Sequence, residues 1–84
     1  MRVLVLDMTH GGDLIAKRFS AEGDEVTCVD VYRNCPADRR QDLVDLDIGV
    51  AESTPVGRYD LAVMPAHCPR SFIGDAEVSE TITF

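Results

Sequence analysis

Leu6-Asp7-Met8-Thr9-His10-Gly11-Gly12-Asp13 is where the apolar run Arg2-Val3-Leu4-Val5-Leu6 stops and an amphipathic helical pattern starts. A strand that feeds a glycine-bearing turn and then a helix opens a nucleotide-binding α/β unit, whose turn leaves backbone N–H groups facing a ligand. The usual fingerprint is altered here. With Gly12 as the third glycine of G-x-G-x-x-G, the first two glycine positions hold Asp7 and Thr9, side chains that crowd a pyrophosphate lying on the backbone.

Upstream of the turn, the near-continuous aliphatic run of residues 2–7 suits a strand buried on both faces of a parallel sheet. Downstream, Leu14, Ile15, Ala16 and Phe19 recur at helical spacing, with Asp13, Lys17, Arg18 and Glu22 assigned to the opposite side. The helix is expected to end near residues 21–23, with Gly23 as its left-handed terminator. Glu25 to Tyr32 reads as a second strand, so residues 2–32 form a β-α-β unit whose right-handed crossover sets the two strands parallel.

A second helix is predicted over residues 37–46, with Leu43, Val44 and Leu46 as its apolar face and Arg39 and Arg40 in water. Asp42, Asp45 and Asp47 form a solvated acidic stripe. Residues 48–51 give a short third strand, and Asp60 to Met64 a clear buried one that stops at Pro65-Ala66-His67-Cys68-Pro69. Thr81-Ile82-Thr83-Phe84 reads as an edge strand. The fold class is α/β: a Rossmann-like, open, mostly parallel sheet in spatial order 3-2-1-4-5, with helices on its faces. Residues 1–84 form a single domain. Ending on a strand with nothing to cap the sheet, the chain is expected to be an excised N-terminal domain of a larger protein.

The chain has 84 residues, 45% of them hydrophobic and 27% charged, and no apolar stretch approaches the roughly 20 residues of a membrane span. It also lacks the pattern of a signal peptide, which favours a cytoplasmic setting without membrane association. Fifteen Asp and Glu against 8 Lys and Arg give a net charge of -7, which argues against nucleic acid as a partner. Cys28, Cys35 and Cys68 are an odd number without C-x-x-C spacing, so reduced thiols are expected.

In a 3-2-1-4-5 sheet the connections after the first and fourth strands leave in opposite directions and open a crevice at the carboxyl ends, where ligands bind. His10 follows the first strand, His67 and Cys68 follow the fourth, and Asp30, Tyr32 and Arg33 arrive from the second. Thr9-His10-Gly11-Gly12 reads either as a ligand cradle at a helix N-terminus or as a tight turn in which Thr9 caps the helix. Asp7 and Asp13 place negative charge there and count against a phosphate. Asp30 reads either as a ribose-binding carboxylate or as a solvated residue or partner of Arg33. Arg33, and less so Arg70, can meet a carboxylated ligand through forked guanidinium bonds.

The ligand-binding set is therefore Thr9, His10, Gly11, Gly12, Asp30, Arg33, His67 and Cys68. No residue is assigned a catalytic or metal-binding role. A soft metal site of His10, His67 and Cys68, or a Cys68 nucleophile, ranks below a substrate-facing or structural role for these side chains. Cys28 lies inside a strand and reads as core.

Asp7-Met8-Thr9-His10-Gly11-Gly12-Asp13-Leu14-Ile15-Ala16, Val29-Asp30-Val31-Tyr32-Arg33 and Pro65-Ala66-His67-Cys68-Pro69 resemble the N-terminal domain of the Mur ligase-like proteins of methanogenic archaea. The resemblance spans most of the chain. In the wider Mur ligase superfamily, which includes UDP-N-acetylmuramate-alanine ligase, it implies a Rossmann-like first domain that holds the substrate's UDP end. ATP and Mg are expected in a separate central domain. The methanogen branch is associated with making the nickel tetrapyrrole coenzyme of methanogenesis, in which ATP activates a propionate for the last ring closure. The implied ligand is then a carboxylated macrocycle in place of a uridine nucleotide, and Asp7, Thr9 and the crevice histidines fit that change.

No G-x-x-x-x-G-K-[ST] occurs in the chain, so it is not expected to catalyse ligation alone or to hold a cofactor of its own. Its expected partners are a small-molecule substrate and the remaining domains of a parent ligase. Two other readings stay open: an NAD(P)- or other nucleotide-binding module of an oxidoreductase or regulatory protein, using Gly11, Gly12 and Asp30, and a non-catalytic interaction domain.

Overall fold

The computed structural model describes all residues from Met1 to Phe84. Its elements are β1 (Arg2–Leu6), α1 (Gly12–Ala21), β2 (Glu25–Val29), α2 (Ala37–Asp45), β3 (Gly49–Ala51), β4 (Arg58–Met64), a single 3-10 turn (Arg70–Ile73) and β5 (Glu77–Thr83). The five strands form one sheet in the order β3-β2-β1-β4-β5. Every neighbouring pair is parallel, the terminal strand included. No helix is long and apolar enough to cross a membrane.

The pleat divides β1 between two cores. Val3 and Val5 join Val26, Cys28, Leu61 and Val63 beneath Ala16 of α1 and Leu43 of α2. Leu4 and Leu6 join Val29, Ala62 and Met64 beneath Cys68 and Ile73. Both α-helices thus serve one core, and the connection from β4 to β5 closes the other. This explains why β1 is aliphatic at every position from Val3 to Leu6: both faces are buried.

The helix faces depart from the sequence expectation. Leu14 is 64% exposed, whereas Asp13 is only 6% exposed. Gly12 and Ala16 are four residues apart on the sheet-facing stripe, where small side chains allow close approach, and Leu14 lies about 200° round the helix from Gly12. Asp13, at the edge of that stripe, turns toward α2. There Arg39 donates to its carboxylate from Nε (2.9 Å) and from a terminal nitrogen (2.7 Å), and also donates to the Met8 carbonyl (3.2 Å). Arg39 and Arg40 precede the buried Leu43 by four and three residues, so they share its face and are not free in water. Val44 and Leu46, assigned to the apolar face, are exposed.

β2 is also shorter than predicted, ending at Val29. The amide of Asp30 still donates to the Ala51 carbonyl (2.7 Å), as that of Asp7 does to the Val29 carbonyl (3.0 Å). Each aspartate is therefore the last rung of its ladder, and the chain turns immediately beyond it.

Gly12 is fixed by this packing, because a β-carbon at that position would overlap the Asp7 carbonyl oxygen. Gly23, at φ +92°, needs glycine only for its left-handed backbone, with open space around it. Gly12→Ala is expected to cost about 3 kcal/mol or more through overpacking, and Gly23→Ala about 1–2 kcal/mol through backbone strain alone. Urea denaturation of the two variants checks the ranking.

Candidate functional site

β1 and β4 are adjacent, and the chain leaves them toward opposite edges of the sheet, so their following loops flank one crevice. The loop after β1 is shaped by Asp7. Its backbone has φ +83°, a conformation that Asp tolerates better than most residues. Its side chain is 2% exposed and accepts hydrogen bonds from the Thr9 amide (2.9 Å) and the Thr9 hydroxyl (3.0 Å). His10 Nδ1 lies 2.6 Å from the second carboxylate oxygen, and in the tautomer protonated there it donates to Asp7.

The loop after β4 carries His67 into the same place. The Ala66 amide donates to the Phe84 carbonyl (2.7 Å), and the Phe84 amide to the Met64 carbonyl (2.9 Å), so Phe84 pins this loop. His67 Nε2 lies 3.8 Å from the Asp7 carboxylate, and its ring centroid is 5.0 Å from that of His10. Tyr32, from the loop after β2, stacks 6.0 Å from His67 and meets His10 edge-on at 6.2 Å. Three loops far apart in sequence thus converge on one cluster.

Burial alone would raise the pKa of Asp7. The Thr9 amide, the His10 ring and the Thr9 hydroxyl outweigh it and hold the carboxyl below its ordinary value. Desolvation, followed by the charges of Cys68 and Asp7, pushes the Tyr32 phenol up, so at neutral pH it is a neutral hydrogen-bond donor.

The remaining predicted residues lie near this cluster in different states. Gly11, at φ +94°, is the N-cap of α1. Thr9 is not the cap: the cap position is Gly11 and no side chain accepts from the first-turn amides, while both Thr9 donors go to Asp7. Asp30 is neither solvated nor paired with Arg33: its carboxylate accepts from the Asn34 and Cys35 amides (3.3 Å each) and lies 3.5 Å from Arg40. Arg33 is exposed and left-handed at φ +53°, its amide donating to the Asp30 carbonyl (3.0 Å). Arg70 is exposed.

Cys68 packs in the core beside Leu6 and Met64, with Sγ 3.8 Å from the Pro69 carbonyl. Burial and then the Asp7 charge push its thiol up, which suits packing better than nucleophilic attack. Burial, with smaller effects from Asp13 and Cys35, pushes the Cys28 thiol up to about 12.

A cavity of about 360 Å³ is lined in part by Val29, Val31, Arg33, Thr54 and Phe72. It reaches neither histidine, but the Phe72 ring lies 6.1 Å from Tyr32, so an aromatic wall joins the two. The Thr54 hydroxyl donates to the Phe72 carbonyl and fixes the far side of that wall. Sequence reasoning missed Phe72, because an aromatic residue in a single 3-10 turn has no periodic signal. It also took Asp7 as an obstacle to phosphate and a mark of a changed ligand, without its contacts to Thr9 and His10.

Fold and site define a Rossmann-like α/β domain with a polar, aromatic-walled crevice at its topological switch point. Over 69 residues, 79% of its length, the chain is 36% identical to coenzyme F(430) synthetase of Methanosarcina acetivorans, a Mur-ligase-like enzyme. It spans 14% of the length of that curated relative. No family model matches, and no solved structure matches significantly. The likeness supports a Mur-ligase-like domain.

Because the folded pKa of Asp7 lies below its unfolded value, ionised Asp7 stabilises the fold above the ordinary carboxylate range, and that contribution is lost as pH falls through the folded value. Asp7→Asn preserves shape and tolerates the positive φ. It is expected to cost about 1–3 kcal/mol at pH 7, and the gap from the parent chain should close as the pH is lowered below about 4. Urea midpoints across an acid pH series check both size and sign.

Proposed function

We propose that this domain is the substrate-recognition module of a Mur-like, ATP-dependent ligase and binds a carboxylated small molecule along the Arg33–Tyr32–His67 side of the crevice. The observation that carries the proposal is the convergence of His10, His67 and Tyr32 from three separate loops at the switch point. Arg33 offers a guanidinium to a carboxylate. Tyr32 and Phe72 offer ring faces to a flat or apolar body. The likeness to coenzyme F(430) synthetase favours a nickel tetrapyrrole precursor over a UDP-sugar. ATP and Mg, together with the ligation chemistry, then belong to a domain outside these residues.

Two features disfavour a dinucleotide. The Thr9 amide, placed where a pyrophosphate would take a turn N–H, is already used by Asp7. The Asp30 carboxylate, placed where a ribose hydroxyl would bind, is committed to two backbone amides and Arg40.

Isothermal titration of the chain against a nickel tetrapyrrole carboxylate, a UDP-sugar, NAD and NADP tests the reading. Binding of the macrocycle is expected, and Arg33→Ala should weaken it roughly tenfold or more, the cost of one charge-assisted contact. Tight binding of NAD or NADP with no binding of the macrocycle would overturn the proposal.

A further inference from the structure

Three carboxylates are buried in this protein: Asp7, Asp13 and Asp30. Asp13 is neutralised by Arg39 at 2.7 Å and Asp30 by Arg40 at 3.5 Å. Asp7, as deeply buried as Asp30, has no arginine or lysine beside it. Its ion-pair partners are the imidazoles of His10 and His67, which are cations only when protonated. Thr9 and His10 offset its burial by hydrogen bonding, and with no fixed cation beside it the carboxylate charge is available to a metal ion.

We infer that Asp7, His10 and His67 form a binding site for a divalent first-row transition metal such as zinc, nickel or cobalt. One ligand atom from each residue lies within 4.8 Å of the others. Around an ion with zinc-like bonds the ligand atoms sit about 3.4 Å apart, so His67, at 3.8 Å from the carboxylate, closes in while His10, at 2.6 Å, exchanges its hydrogen bond to Asp7 for the metal and opens out. The movement is available on one side of the site. The His10 and His67 side chains are 55% and 53% exposed and can rotate toward the ion. Asp7 is held by both donors of Thr9, which act as the outer support that keeps a ligating carboxylate in place.

Two imidazoles and a carboxylate match the donor preferences of these ions better than those of calcium or magnesium, which favour oxygen alone. The positive end of α1 opposes a cation only weakly, little beside three direct ligands. Three protein ligands leave further coordination positions open toward the crevice. Cys68, the thiol that sequence reasoning placed with the histidines, is excluded from the set because its sulfur is packed among apolar side chains. This inference concerns the same crevice as the proposed substrate site but does not depend on it, since the metal alone is the probe.

The test is a competition titration of the untagged chain with zinc and nickel ions against a colorimetric chelator, with cobalt absorbance reporting the donor set. One metal per chain is expected. His67→Ala and His10→Ala should each weaken binding roughly tenfold or more, while Cys35→Ser and Cys68→Ser leave it unchanged and the cobalt spectrum lacks thiolate charge transfer. Circular dichroism establishes that the histidine variants are folded, and His67, being half exposed, should be replaceable without loss of structure. Three results would overturn the inference: no binding at millimolar metal, binding unaffected by either histidine substitution, or binding lost with a cysteine.

Discussion

The inward turn of Asp7 is the interaction on which the rest of the site depends. Its amide closes the ladder to Val29, its left-handed backbone reverses the chain, and its carboxylate gathers Thr9 and His10. The same residue's carbonyl fills the space that a side chain at position 12 would need, which sets how closely α1 approaches the end of β1. One residue therefore couples the packing of the first helix to the orientation of the first histidine. Charge-assisted hydrogen bonds to a buried carboxylate are stronger than neutral ones, so the turn is more rigid than its exposed histidine alone would indicate.

The sheet was legible in the sequence because its signals are local and mutually consistent. The aliphatic run of β1, the helix terminator Gly23 and the β-rich run after it allow few topologies once the crossover is right-handed. The switch point follows from strand order alone, and with it the meeting of His10 and His67. The helix faces were not legible to the same degree. A hydrophobic stripe was sought, whereas the close contact of α1 with the sheet uses Gly12 and Ala16, and its contacts with α2 include two ion pairs. Asp13 and Arg39, far apart in sequence, carry no periodicity that announces their pairing. Polar residues that bury one another lie outside what hydrophobic spacing can detect.

The site was legible as a place and only partly as chemistry. The sequence marks His10, His67 and Tyr32 as loop residues at one end of the sheet. It does not reveal that Asp30 is consumed by its own turn or that Cys68 faces the core, because both depend on which way a side chain points after a strand ends. Asp7 and Asp30 make this plain. They occupy equivalent last-rung positions on adjacent strands, yet Arg40 reaches only the second, leaving the charge of the first to the crevice.

The altered glycine pattern separates two functions that the dinucleotide fingerprint normally combines. Some of its glycines serve the backbone and some serve the ligand. Of its three glycine positions only Gly12 is kept here, for close packing against Asp7, while Gly11, outside the pattern, supplies a left-handed cap, and both needs arise within the protein. The two positions that would bring a pyrophosphate onto the backbone are occupied by Asp7 and Thr9, which bond to each other. A carboxylate of the chain's own has taken the hydrogen-bond donor that a ligand's phosphate would use. The turn thereby preserves the architecture of its fold while reversing the charge it presents, and a crevice rebuilt in this way suits a cation or a hydrogen-bond donor at Asp7 and an anion only farther out, at Arg33.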